Sequence, residues 1–355
     1  MKAVLIHNSP RGKVTVEKVP DPKCTDDGVI VKMAANGVCR SDWHEYNGDW
    51  AWIGLAPAKF PIIPGHEGCG TICEVGKNVK KWKVGDRVIP PVTYGCGVCP
   101  RCTVLNLHNM CEKLRVIGYA FDGLYAEYAH SPDSDYPGNL IKIPDSIDFV
   151  TAAQLGCRFQ TSYHGMITQG GIKPGDKVAV WGCGGIGISA IHIAAAMGCY
   201  VVAVDIDDKK LEFAKKIGAH DVVNAKKTNA VQAVKDLTWG GANVSLDALG
   251  IAETVVNNIL CLTNKGRAVQ IGLSTREEMG NVTIPIDLIT AMELELHGSL
   301  TMPFPQYDQM LKAILNGQLH PEKLVTKKIT LEEAPDRIRA MTEFGTGPGM
   351  EVVVF

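Results

Sequence analysis

The sequence carries no surplus of positive charge: 36 Lys and Arg stand against 38 Asp and Glu, a formal net charge of -2. A chain so balanced has no broad positive field for holding phosphate backbones, so nucleic acid is not an expected partner. Long apolar runs are also missing. The most apolar stretch, Ile186 to Val204, is interrupted by Gly187, Ser189, His192 and Gly198, and its helix-like and strand-like halves argue against a membrane-spanning helix. At the N-terminus only Ala3 to Ile6 is apolar before His7 and Asn8, too short for the core of a secretory signal. The expectation is a soluble, cytoplasmic protein without membrane association. Gly and Pro are dispersed, and no internal repeat or low-complexity tract is visible, which excludes fibrous, disordered and solenoid classes.

A chain of 355 residues with 46% hydrophobic content is long enough for two domains. Up to about residue 149 it reads as short strands (Val14 to Val19, Val29 to Ala34, Gly70 to Val75, Arg87 to Pro90, Leu140 to Ile143) punctuated by Gly, Pro and Asp, the grammar of a β-rich domain. From about Gly170 the pattern changes to strands alternating with helices. Val178 to Trp181 precedes a Gly-rich turn and the helical run Ile186 to Met197, which Gly198 can close, and Tyr200 to Val204 follows as the next strand. Leu211, Ala214 and Ile217 then mark a helix with Asp207 as cap and Gly218 as stop, while Val244 to Leu246 and Ala268 to Ile271 read as buried strands. Such alternation implies a doubly wound parallel sheet covered on both faces. The last segment, from about His297, ends in the strand-like Glu351 to Phe355 and is expected to rejoin the first domain.

Twelve cysteines in a chain without a secretory signal imply reduced thiols, whose spacing points to metal before disulfides. Cys96, Cys99, Cys102 and Cys111 follow C-x2-C-x2-C-x8-C. Two-residue gaps let a turn aim successive thiolates at one point, and four thiolates close a tetrahedral Zn2+ shell with no position left for water, a structural arrangement. A nucleic-acid ribbon uses similar modules; the charge balance disfavours it, although Lys113 and Arg115 lie close by. Cys39 and His66 suggest a second centre of another kind, with Cys157 as candidate third ligand because it lies where the two sequence grammars meet. Two cysteines and one histidine leave a fourth Zn2+ position open for water or a substrate oxygen, the catalytic pattern.

Gly182-Cys183-Gly184-Gly185-Ile186-Gly187 fits G-x-G-x-x-G between a strand and a helix, so that pyrophosphate can approach the backbone and the helix N-terminus. The next strand ends at Asp205, eighteen residues after Gly187, where a carboxylate accepts hydrogen bonds from an adenosine ribose and repels a 2'-phosphate. NAD is therefore expected over NADP.

Taken in order, Cys39 with Ser41 and His44, Gly65-His66-Glu67, the four-cysteine lobe, Cys157 and the dinucleotide fingerprint resemble the zinc-dependent alcohol dehydrogenases of the medium-chain dehydrogenase/reductase family along essentially the whole chain. One departure is the gap between Cys102 and Cys111, eight residues where the family usually has seven. The resemblance implies an α/β fold: a Rossmann doubly wound parallel-sheet domain (159–296) plus a discontinuous β-rich, GroES-like catalytic domain (1–158 and 297–355). It also implies two zinc ions per chain, held by Cys39, His66 and Cys157 and by Cys96, Cys99, Cys102 and Cys111. Glu67 would approach the first metal during ligand exchange, and Asp42 would orient His66. The dinucleotide would meet Arg40, Thr161, Gly182, Gly184, Gly185, Ile186, Gly187, Asp205 and Lys210, and the chain would form a homodimer or homotetramer.

The expected activity is reversible, NAD-linked oxidation of a primary or secondary alcohol to an aldehyde or ketone. In it Ser41 takes the alcohol proton and His44, nearer solvent, passes it outward. Two other readings stand beside it: a zinc- and nucleotide-binding protein without turnover, and a zinc-free quinone or enone reductase of the same fold. Trp43, Trp50 and Trp52, with Tyr46 and Phe60, either wall a substrate cleft or pack a loop or interface. Val92 matches a family position facing the substrate, where its small side chain leaves room for bulky apolar alcohols.

Overall fold

The computed structural model describes residues 1–343 and 347–355. Its first sheet is antiparallel around a central strand, Val29–Gly37, which pairs with Gly68–Val75, Tyr128–Ser131 and Met350–Val354. The C-terminal strand Met350–Val354, apolar enough to be buried over four of its five residues, thus lies beside Val29–Gly37 despite three hundred residues of intervening chain. Val325–Ile329 extends the same sheet beyond it in parallel.

The second sheet has six parallel strands in the order Asp221–Asn224, Tyr200–Asp205, Lys177–Trp181, Ala242–Asp247, Leu262–Gln270, Glu295–Gly298. The order reverses between Lys177–Trp181 and Ala242–Asp247, so the carboxyl ends of these two strands open the crevice in which doubly wound sheets bind ligands. Glu295–Gly298 crosses position 296, where the sequence suggested a domain boundary; its pairing with Arg267 to Gln270 carries the parallel sheet two residues further. Local signals act as their chemistry requires. Asp207 caps the helix Asp208–Lys216 by accepting the Lys209 N–H at 2.8 Å, and Gly198 closes Gly185–Ala196 at φ 80°.

One apolar core spans both sheets. Leu155 and Phe159, at or next to the helices Phe149–Gln154 and Arg158–Tyr163, pack in the same cluster as Ala35, Ile89, Val180, Ile188 and Val352. The segment around Cys157 is therefore wedged between the two sheets. No helix among the described residues is long and apolar enough to cross a membrane.

Candidate active site and zinc centres

Cys39 ends the strand-to-helix turn before Arg40–Asn47, whose start is closed by Asp42: its Oδ2 accepts the Cys39 N–H at 3.0 Å. His66 precedes Gly68–Val75, and Cys157 stands immediately before Arg158–Tyr163. Three different elements thus bring one ligand atom each to a common point, all within 4.8 Å of one another and all buried.

The chemistry of this set suits a metal ion. His66 Nε2 is buried without a hydrogen-bond partner, an orphaned state that costs free energy unless something coordinates it. Nδ1 lies 3.1 Å from Asp42 Oδ1, close enough for the carboxylate to orient the ring and leave Nε2 as the donor. The Tyr125 hydroxyl donates to Asp42 Oδ2 at 2.9 Å and braces it. Cys39 is held well below the ordinary thiol range, first by the hydrogen bond from Cys157, then by His66 and Arg158, against the cost of burial. The pocket therefore favours the thiolate, the form that binds metal. Val92 packs against Cys39 and Cys157.

Glu67 is fully buried but turned onto Arg158. Its Oε1 accepts the Arg158 backbone N–H at 2.8 Å, and its Oε2 accepts Nε at 2.6 Å and faces Nη2 at 2.5 Å. Burial raises its carboxyl to about 7 although the guanidinium pulls the other way. Arg158, which the sequence showed only as the residue after a ligand, is the missing partner. It also reaches the dinucleotide turn: a Cβ added to Gly185 would stand 2.3 Å from Arg158 Cδ.

The second set is built by the helix Pro100–Thr103 and the 3-10 turn His108–Met110, which bring the Cys96, Cys99, Cys102 and Cys111 sulfurs within 4.8 Å of one another. The eight-residue gap after Cys102 does not prevent this convergence. Backbone N–H groups of Cys96 and Lys113 each lie 3.3 Å from Cys111 Sγ, and that of Cys99 lies 3.4 Å from Cys96 Sγ, the donors thiolates need. The lobe also grips the chain leaving the parallel sheet, through Asn109 Nδ2 to Leu300 O at 2.8 Å and Phe304 N to His108 Nδ1 at 2.9 Å.

At the Gly-rich turn, Gly182 takes φ 93°, and a Cβ on Gly187 would sit 1.7 Å from Gly182 O, so turn and helix approach only because both lack side chains. Gly184 caps Gly185–Ala196 without a side-chain capping bond, leaving first-turn N–H groups for phosphate. Asp205 Oδ2 accepts the Cys183 N–H at 2.7 Å, and Oδ1 accepts those of Ile206 and Asp207. Three bonds leave a carboxylate about one acceptor position for a ribose hydroxyl. Lys210 lies near enough to act electrostatically on Cys183 of the turn. Thr161 donates its hydroxyl to Cys157 O at 2.7 Å, while the adjacent Ser162, which the sequence reading passed over, ties its helix to the fingerprint through Ile186 O at 2.8 Å. Arg40 donates to Met341 O at 2.7 Å and lies over the Trp43 ring.

Ser41 Oγ is 3.7 Å from Cys39 Sγ, beside the candidate metal position. His44 was expected nearer solvent but is buried; its ring stacks on Trp50 at 4.5 Å, and its Nδ1 lies 2.6 Å from Asp49 Oδ2. Of the aromatics, Trp43 and Tyr46 belong to the β-domain core, Trp50 lies between His44 and Tyr119, and Trp52 and Phe60 remain exposed.

Residues 25–145 match the alcohol dehydrogenase GroES-like domain family and residues 185–316 the zinc-binding dehydrogenase family. An alcohol dehydrogenase of Geobacillus stearothermophilus is 36% identical over 320 residues, covering 90% of each chain. The solved alcohol dehydrogenase of Aeropyrum pernix superposes with a TM-score of 0.88 at 29% identity, covering 100% of both chains. A Sinorhizobium meliloti 1021 chain solved with NADP bound superposes at 0.86 with 29% identity, over 100% of this chain and 99% of that one. The chain belongs to the zinc-type alcohol dehydrogenases of the medium-chain dehydrogenase/reductase family, enzymes that bind zinc and a nicotinamide dinucleotide.

Proposed function

We propose that the chain oxidises primary or secondary alcohols at the Cys39, His66 and Cys157 centre, with NAD preferred over NADP. The convergence of these three buried donors on one point, one position short of a full tetrahedron, is the observation that carries this reading. Zinc held there supplies the Lewis acidity that makes a substrate hydroxyl easier to deprotonate, and the dinucleotide supplies the hydride acceptor. The chain's residues do the rest. Asp42 sets the His66 ring, Val92 and neighbouring apolar groups exclude water, and Ser41 Oγ takes the alcohol proton, which moves outward to His44. Asp205 supports the NAD preference, since a 2'-phosphate would meet a carboxylate already fixed by the turn. Arg40, Thr161, Lys210 and the glycines of the fingerprint complete the proposed cofactor site. Glu67 serves as a buried anion held by Arg158, released toward the metal only when that pair opens.

The four-cysteine lobe is proposed to hold the second zinc and to keep the Leu300 to Phe304 crossover in place. Self-association is proposed through Glu295–Gly298: it is the last strand of its sheet, and Leu296 on it and Leu300 just after it are exposed. A cytoplasmic location fits the reduced, metal-ready thiols. The test is to measure zinc per chain and follow reduction of NAD+ and NADP+ with a panel of primary and secondary alcohols. Alcohol-dependent reduction that disappears in Cys39→Ser is expected; full activity in that variant would refute the assignment.

A further inference from the structure

His44 is not a free imidazole at the mouth of a cleft. Its Nδ1 lies 2.6 Å from Asp49 Oδ2, and Asp49 is completely buried. The other carboxylate oxygen, Oδ1, accepts from Asn47 Nδ2 at 2.7 Å and from the backbone N–H of Arg276 at 3.3 Å. Burial opposes a charge on Asp49, yet the bonds from His44, Arg276 and Asn47 outweigh it and keep the carboxyl below its ordinary value. Arg276 belongs to the chain between the strand Leu262–Gln270 and the helix Ile286–Ala291 of the dinucleotide-binding unit, whereas His44 and Asp49 belong to the β-rich one. The same crossing is made one turn away, where Trp50, stacked on His44, donates Nε1 to Ser274 O at 3.2 Å.

We propose that Asp49 is a positioning residue of the proton relay: it holds His44 in the tautomer with hydrogen on Nδ1, and the Ser274 to Arg276 segment completes that arrangement across the cleft. The inference rests on the relay reading of Ser41 and His44. With Nδ1–H donated to the carboxylate, the lone pair on Nε2 is the ring's only proton acceptor. When Nε2 takes the proton released by the alcohol, the ring becomes a cation beside a fixed anion. The proton then leaves from Nε2 to water, and Asp49 remains ionised throughout. Without the carboxylate either tautomer is populated, and the one with hydrogen on Nε2 cannot accept. The two cross-cleft bonds tie this choice to the approach of the dinucleotide-binding unit, so the relay is assembled only when the cofactor side is in place.

The experiment is a cycle of Asp49→Asn, His44→Ala and the double variant in the zinc-loaded enzyme, reading kcat and KM for one alcohol across pH. Asp49→Asn is expected to lower kcat about ten-fold or more with little change in KM, in keeping with the rate factors of general base groups. It should cost nothing further in the His44→Ala background, and imidazole buffer should restore part of the activity of both single variants. A drop on Asp49→Asn that is equally large with and without His44 makes the role structural and overturns the proposal. Full activity of Asp49→Asn where His44→Ala is impaired overturns it as well, leaving the relay intact. Full activity of His44→Ala removes the relay reading itself. Asp49→Ser serves as the second variant. If it and Asp49→Asn both fail to fold while His44→Ala folds, Asp49 belongs to the fold and the proposal is overturned.

Discussion

Removing Arg158 should cost far more stability than its place beside a loop suggests. Glu67 has no exposed surface, and three Arg158 contacts, at 2.8, 2.6 and 2.5 Å, provide its charged environment. Arg158→Met keeps the backbone N–H bond but leaves a carboxylate without its counter-ion. Breaking a buried pair from one side costs about 3 to 5 kcal/mol. With an unfolding entropy of about 2.1 cal/mol/K per residue, a chain of 355 residues loses about 1.3 °C in Tm per kcal/mol, so the expected drop is about 4 to 7 °C. Glu67→Gln should cost a comparable amount, because it leaves the Arg158 guanidinium buried without its counter-ion. The double variant, in which no buried charge is left unpaired, should recover much of the Arg158→Met loss. Calorimetry of the four zinc-loaded proteins at one scan rate and one protein concentration reads all of this. A Tm within about 1 °C of wild type for Arg158→Met, or strict additivity of the two single variants, would refute the claim that the pair is one electrostatic unit.

Elemental analysis should find two zinc ions per chain; Cys39→Ser should retain one and lose turnover, while Cys99→Ser should lose the other and melt earlier. Asp42→Asn should weaken zinc retention at the first centre about 10- to 100-fold, as losses of orienting partners to a ligating histidine do, read by competition with a chelator. Asp205→Ser should narrow the kcat/KM preference for NAD+ over NADP+; a wild-type preference for NADP+ would contradict the role given to that carboxylate. Ser41→Ala should cost more kcat than His44→Ala, since water replaces the outer member of a relay more readily than the group beside the reacting oxygen.

Spacing and local chemistry carried most of what was legible in the chain. The two-residue gaps of Cys96, Cys99 and Cys102 and the glycines at 182, 184 and 187 report short-range geometry, which a few bonds of backbone fix without help from the rest of the fold. Asp207 as cap and Gly198 as stop are of the same kind. Resemblance then supplied roles that no spacing contains, such as Glu67 approaching the metal and Asp42 orienting His66. What the sequence alone did not reveal depends on contacts between distant segments. Arg158 is one letter beside a ligand until Glu67 and Gly185 close on it. His44 reads as an outward relay residue until Asp49, Trp50 and the Ser274 to Arg276 segment bury it. Trp43 and Trp50, seven positions apart in one short stretch, part company for the same reason, one into the β-domain core and one over the relay. Local sequence sets backbone turns and ligand spacing because those are near-neighbour effects. The burial and partners of a charged side chain are decided by which surfaces the two domains press together, and only the tertiary structure contains that.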